Sequence, residues 1–212
     1  MSDRHPINEG HIAWAGENHC LYLEEGADGP WTAAFSVFRI KWSPFGAGTG
    51  VMALCHPDAE GEDDSNFCLT DNARLFRWLA DEFAVHYAAF RDRRAFETMR
   101  FGALDSVQGA NGQDSSYVER FVGAGHRLEL EWSDLHDPVH LELPPDKSST
   151  GRHEIFGTYI TAGNASARLD DQRLRGAIHT KPFLDRHTTS AYLIFSETWV
   201  MPRCIGGAET LA

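Results

Sequence analysis

The chain has 212 residues, with 19 Lys and Arg against 31 Asp and Glu, a formal net charge of −12 with histidine neutral. Apolar residues make up 42% and charged residues 24%, which predicts a packed core and excludes disorder along the whole length. The acidic field argues against nucleic acid as a partner, and no apolar run approaches the roughly 20 residues of a membrane-spanning helix.

The N-terminus, Met1-Ser2-Asp3-Arg4-His5-Pro6, lacks the apolar segment of a secretory signal. Cys20, Cys55, Cys68 and Cys204 show no CxxC spacing. Reduced thiols in a cytoplasmic protein are expected. Length predicts one domain over residues 1–202 with a tail from 203 to 212.

In chain order, residues 11–24 read as a strand interrupted near Gly16-Glu17-Asn18, and 31–42 as a strand rich in β-branched and aromatic residues. Residues 51–55 form a short apolar run, followed by an acidic, solvated stretch from Pro57 to Asp64. Leu75, Phe76, Leu79, Phe83, Tyr87 and Phe90 recur at helical spacing. With Thr70-Asp71 as N-cap and Arg91 to Arg94 at the end, they predict one helical insertion over about 71–93.

Period two then returns. Strands are predicted at 99–106, 117–122, 126–134, 140–143, 153–162, 165–169, 173–178 and 190–201. In the second hairpin strand Leu128, Leu130 and Trp132 point one way and Glu129 and Glu131 the other. About ten strands joined by short turns predict a mainly β protein. The expected form is an antiparallel calycin-like barrel or strongly curved sheet with one long α-helix packed on it.

Several motifs fail on inspection. Gly46-Ala47-Gly48-Thr49-Gly50 is followed by strand-forming Val51-Met52 rather than a helix, so it reads as a hairpin turn and not a phosphate loop. His136 and His140 have i, i+4 spacing, but Pro138 between them excludes the metal-binding helix. No metal and no cofactor are expected, and no GxSxG elbow is present.

The densest polar stretch runs from His179 to Glu197. Strict alternation in the last strand places Ala191, Leu193, Phe195, Glu197 and Trp199 on one face, with Tyr192, Ile194, Ser196 and Thr198 on the other. Glu197 would then be a carboxyl in an apolar lining, either paired with a cation such as Arg186 or raised in pKa as a proton-transfer group. Asp185-Arg186-His187 offers an acid, an anion clamp and a base in succession.

The order of His153-Glu154, the hairpin from Ala165 to Gly176 and Asp185-Arg186-His187 before an aromatic strand resembles the lipocalin-like carotenoid 1,2-hydratase (hydroxyneurosporene synthase) group. The resemblance covers residues 138–200. Thr188-Thr189 stands where that group would continue with tryptophan and glycine. The resemblance implies a calycin-like barrel with a ligand cavity, and hydratase or cyclase chemistry on apolar substrates without redox cofactors.

These readings converge on a cofactor-independent acid–base enzyme of hydratase, isomerase or cyclase type acting on an apolar small molecule. Glu197 or Asp185 would donate the proton, His187 or His179 would accept one, and Arg186 would hold a developing anion. Trp132, Trp199, Phe195, Tyr159 and His153 would shape the ligand site. A non-catalytic binding protein of the same fold and an interaction module with a filled core are the alternatives. A homo-oligomer is compatible with the sequence, which leaves that question open.

Overall fold

The computed structural model describes residues 10–111, 115–183 and 186–203, apart from the side chains of Phe183 and Arg186. Four strands come first: β1 (Gly10–Glu24), β2 (Trp31–Trp42), β3 (Gly48–Leu54) and β4 (Asn66–Thr70). A helical crossover follows, with α1 (Ala73–Glu82), a 3-10 turn (Ala84–His86) and α2 (Arg94–Glu97). The chain continues through β5 (Arg100–Ala103), β6 (Ser106–Asn111), β7 (Tyr117–Gly123), β8 (His126–Leu135) and β9 (Val139–Leu143). It ends with β10 (Glu154–Leu169), β11 (Gln172–Arg173), β12 (Thr180–Phe183), β13 (Arg186–Thr189) and β14 (Ala191–Pro202).

Among the described residues, ten strands pair in the order β5-β4-β3-β2-β1-β14-β10-β8-β7-β6, with β9 and β11 also on β10. The sheet curls strongly into a half-barrel, and the helix packs against it. β12 and β13 form a separate hairpin. Strands 153–162 and 165–169 of the sequence reading are one element. β10 passes through Gly163 and Asn164 unbroken and only changes neighbour there, from β9 to β8. β4 falls between the expected acidic loop and helix, where no strand is expected. β11 covers only the first residue of the expected strand at 173–178.

One pair, β4 with β5, is parallel, because the helical segment carries the chain back across the sheet before it pairs again. That segment is shorter than its apolar periodicity predicts. Asn72, rather than Thr70 or Asp71, caps it by accepting the Leu75 amide at 3.1 Å. Past Glu82 the apolar side chains have separate targets. Phe83 packs on Trp14 and Trp199, Tyr87 reaches Asn18, and Phe90 packs on Tyr22. A straight helix presents one stripe and cannot serve all of these, so the chain unwinds into turns.

The sheet separates two apolar cores. Cys20, Tyr22, Phe38, Met52 and Cys68 face Leu75, Phe76 and Leu79 of α1. Leu21, Leu23, Phe35, Val51 and Leu69 face into the curl, against Phe121, Leu128, Leu130 and Trp132. Burial on both faces explains why β2 to β4 read as nearly continuous apolar runs, whereas β7 and β8 alternate. As predicted, Leu128, Leu130 and Trp132 are fully buried, while Glu129 and Glu131 are only half-buried. The Trp132 indole donates to the Cys20 carbonyl at 2.9 Å.

The two flanks of the curl approach where a side chain would not fit. A Cβ on Gly123 would lie 2.3 Å from the Ala103 carbonyl oxygen. Deeper inside, Arg39 of β2 reaches across to Glu119 of β7 at 2.5 Å, with Glu119 fully buried. The His19 Nε2 atom lies 3.7 Å from both Glu119 and Glu17.

Removing one partner of a buried ion pair strands the other, at a cost of about 3–5 kcal/mol. Glu119→Ala should therefore lower stability by about that amount, and an apolar replacement of both Arg39 and Glu119 should recover much of it. Urea denaturation of the single and double variants checks this; equal losses in both would show that the ion pair is not the fastening.

Candidate functional site

The site is built on β14, and a bulge decides what it presents. Glu197 pairs with Gly16 but Ile194 with Asn18, so two β14 residues oppose the single Glu17. On the other side Thr198 pairs with Phe156 and Phe195 with Thr158, leaving only Gly157 between. Ser196 sits at the bulge with φ +56°, a left-handed conformation that a non-glycine residue rarely adopts.

The extra residue shifts the alternation by one. Ala191, Leu193 and Phe195 face the inside of the curl, with Trp132. Tyr192, Ile194 and then Trp199 face the opposite core, below the helix. Glu197 joins this second set rather than sharing a face with Leu193 and Phe195. This corrects the alternation expected for that strand.

Glu197 and Trp199 line a cavity of about 290 Å³ between β1, β10 and β14 on one side and the chain after α1 and the β9–β10 connection on the other. Tyr22, Tyr87, Tyr159 and Tyr192 supply much of the remaining wall, with Leu141, Leu143, Ile155 and Ile194 as aliphatic surface. Larger grooves exist, such as one of about 380 Å³ along Arg120, Arg127 and Arg168. Those three arginines are exposed.

Glu197 is 2% exposed. Its Oε1 accepts the Trp199 indole N–H at 2.9 Å, and its Oε2 is buried without a hydrogen-bond partner among the described residues. Burial lifts its carboxyl from the ordinary 4.5 to about 8, against a smaller opposing pull from the Trp199 hydrogen bond. Trp199 itself is held by stacking on Trp14 and by the edge of Phe83.

Among the described lining residues, apart from the exposed Lys147 and Glu197 itself, the polar side chains are uncharged types. Asn18 accepts at Oδ1 from the Ser36 hydroxyl at 2.8 Å and the Cys20 thiol at 3.5 Å, and donates from Nδ2 to the Tyr87 hydroxyl oxygen at 3.2 Å. Burial pushes the Cys20 thiol up to about 11 and holds Tyr22, Tyr87 and Tyr192 well above the usual phenol range. Tyr159 shares a hydrogen bond with Thr188 of β13.

Of the residues singled out from sequence, the cavity brings together Glu197, Trp199 and Tyr159. Trp132 and Phe195 lie in the other core. His153 is buried behind the wall, its ring against Phe83 and Trp199, its Nδ1 2.9 Å from the Thr150 hydroxyl, and burial lowers its pKa to about 4. His187 is exposed on β13, and His179 is half-buried beside β12; neither lines the cavity. Asp185 and the side chain of Arg186 lie outside the described residues. Among the described residues no three His, Cys, Asp or Glu side chains gather to hold a metal, and no helix is long and apolar enough to cross a membrane.

Comparisons with protein-family models, curated proteins and solved structures give no match.

The resemblance to the carotenoid 1,2-hydratase group therefore rests on its sequence motifs. The sequence reading misses Asn18, Tyr22, Tyr87 and Tyr192. Asn18, Cys20 and Tyr22 do alternate along β1, but on a strand buried on both faces that pattern does not distinguish a cavity wall from core.

The raised carboxyl has a thermodynamic signature. Between pH 4.5 and about 8 the folded protein keeps a proton on Glu197 that the unfolded chain has released. The contribution is thus fully present below the unfolded value and is lost as pH rises through the folded one. Stability should decline across this window, and Glu197→Gln should flatten that decline. Urea midpoints measured across it check this; parallel profiles for the two proteins would show an ordinary carboxylate.

Proposed function

We propose that the protein is a cofactor-independent acid–base enzyme that moves a proton on an apolar small molecule held in this cavity, with Glu197 as the acid. The observation that carries the reading is the buried, unpartnered Oε2 of Glu197 in an aromatic and aliphatic wall. A carboxyl kept protonated near neutral pH has the acidity suited to donation at that pH.

Among hydration, cyclisation and isomerisation, isomerisation asks least of the lining. The Oε2–H bond breaks as a C–H bond forms at one end of an unsaturated substrate. The resulting carboxylate then takes a proton from a carbon further along, and the double bond shifts. Substrate and product are isomers, the acid is regenerated, and no electrons are exchanged. Hydration would need a second group to activate water, and among the described lining residues the other titratable groups are Tyr22, Tyr87 and Tyr192, which burial holds neutral, with Tyr159 and the rim residue Lys147. That same observation favours a carrier as the second reading.

A panel of apolar unsaturated compounds in D₂O separates the two. The wild type should bind members of the panel and exchange carbon-bound hydrogen for deuterium. Glu197→Gln, which keeps the shape but cannot lose and regain the proton, should bind comparably and exchange at least about a hundredfold more slowly, the lower end for loss of general acid–base catalysis. Binding by both proteins with exchange by neither would establish the carrier instead. The buried Cys20, Cys55 and Cys68, all unbridged, accord with a cytoplasmic setting for either.

A further inference from the structure

The groove of about 380 Å³ along Arg120, Arg127 and Arg168 shares no lining residue with the Glu197 cavity. It runs over the face of β7 and β8 turned away from Leu128, Leu130 and Trp132. Strand register sets the spacing of its charges. Arg120 of β7 stands opposite Glu129 of β8, and Glu129 stands opposite Arg168 of β10. Arg127 is two residues from Glu129 along β8, which makes it the diagonal neighbour of Arg168. Diagonal neighbours lie about 7–8 Å apart, within reach of long side chains. On its other side Arg168 faces Arg173 of β11 directly, and like charges so placed repel.

The carboxylates close by leave two of these cations unmatched. Glu129 accepts from Nε of Arg120 at 2.6 Å. Asp170 turns one oxygen to the Arg127 backbone amide at 2.8 Å and the other to the His126 ring at 3.0 Å. Arg168 donates to the main-chain carbonyl of Asp171 at 3.3 Å. Among the described residues, neither the Arg127 nor the Arg168 guanidinium forms a salt bridge. The Asp171 side chain also lines the groove, as a carboxylate without a hydrogen bond among the described residues.

We propose that this groove binds the phosphate of a small phosphomonoester through Arg127 and Arg168. Two unmatched guanidiniums call for two negative charges, which a phosphomonoester supplies and a single carboxylate does not. Their planar forks match its oxygens, and its charge relieves the repulsion along the row. The net charge of −12 disfavours an extended polyanion, so the occupant is a small ester rather than a nucleic acid. The site is independent of the acid–base reading of the Glu197 cavity.

Phenyl phosphate, benzoate and phenol, titrated calorimetrically in low salt, test this at about pH 7.5, where the ester is a dianion. Phenyl phosphate should bind, benzoate about tenfold more weakly, and phenol not at all. Arg127→Gln and Arg168→Gln should each weaken phenyl phosphate about tenfold, the value of a hydrogen bond to a charged group. Both arginines are exposed, so these variants should melt with the wild type. Arg91→Gln removes the same charge from an exposed position outside the groove and should change affinity by less than about twofold. Asp171→Asn should tighten binding about threefold by removing a competing carboxylate. Asparagine also tolerates the φ of +65° at that position.

Equal weakening by Arg91→Gln would show that the general field, and not the groove, attracts the ester. Equal affinity for benzoate would show that no dianion is required. Either result overturns the assignment, as does the absence of binding by phenyl phosphate at about 10 mM.

Discussion

One extra residue in β14 decides which face of the sheet Glu197 enters. β14 is paired on both sides, so it cannot tilt or slide to bring Glu197 to either face. The insertion at Phe195 and Ser196 does this by breaking the two-residue period locally. Without it, Glu197 would follow Phe195 into the curl, beside Trp132 and within reach of the arginine and glutamates already there. With it, the carboxyl enters a wall of phenols and aliphatic side chains, where the Trp199 indole is its one hydrogen-bond donor among the described residues. The Ile194 amide, next to the bulge, donates to the Nδ1 atom of His19 on the neighbouring β1 at 3.2 Å, so a side chain takes part in joining the strands where the ladder is disturbed.

The two faces of the sheet therefore handle buried charge in opposite ways. Inside the curl, Glu119 is matched by Arg39, and His19 is kept neutral by burial and the nearby guanidinium, with its pKa lowered to about 3. That arrangement satisfies charge with charge and fastens β2 to β7. On the helix side, Glu197 has no cation partner among the described residues, and burial is answered by retaining the proton. A paired carboxylate is inert. An unpaired carboxylic acid in an aromatic cavity is available for reaction, and the difference between the two lies in their neighbours rather than in residue type.

The sequence shows the β character, the curl and the buried hairpin well, because β7 and β8 have one polar face and alternate accordingly. It shows the helix only in part. Leu75, Phe76 and Leu79 keep helical spacing because they pack as a helix, whereas Phe83, Tyr87 and Phe90 keep it while packing on separate parts of the sheet. The bulge is illegible because Ser196 carries no preference for positive φ, as a glycine or asparagine would. Glu197 is recognised as a buried carboxyl, but the face assigned to it is wrong, and Trp132 and Phe195 are drawn into the site with it. The interior clamp does leave a trace: Tyr117, Glu119 and Phe121 share one face of β7, which places a glutamate among inward residues.

The pairing of β1 with β14 bears on how the molecule assembles. Gly10 lies beside Pro202, and this ladder sits in the middle of the sheet rather than at its edge. Pairing β1 with β14 joins residues as distant in sequence as Gly10 and Pro202, and such long-range contacts slow folding. During synthesis β1 to β4 can pair among themselves while β1 keeps an open edge, its apolar faces half-covered, until residues 191–202 have left the ribosome. The strand that completes the sheet also carries Glu197 and Trp199. A nascent chain thus acquires its complete sheet and its buried carboxyl in the same late step, and a shorter intermediate has neither the finished ladder nor the cavity wall.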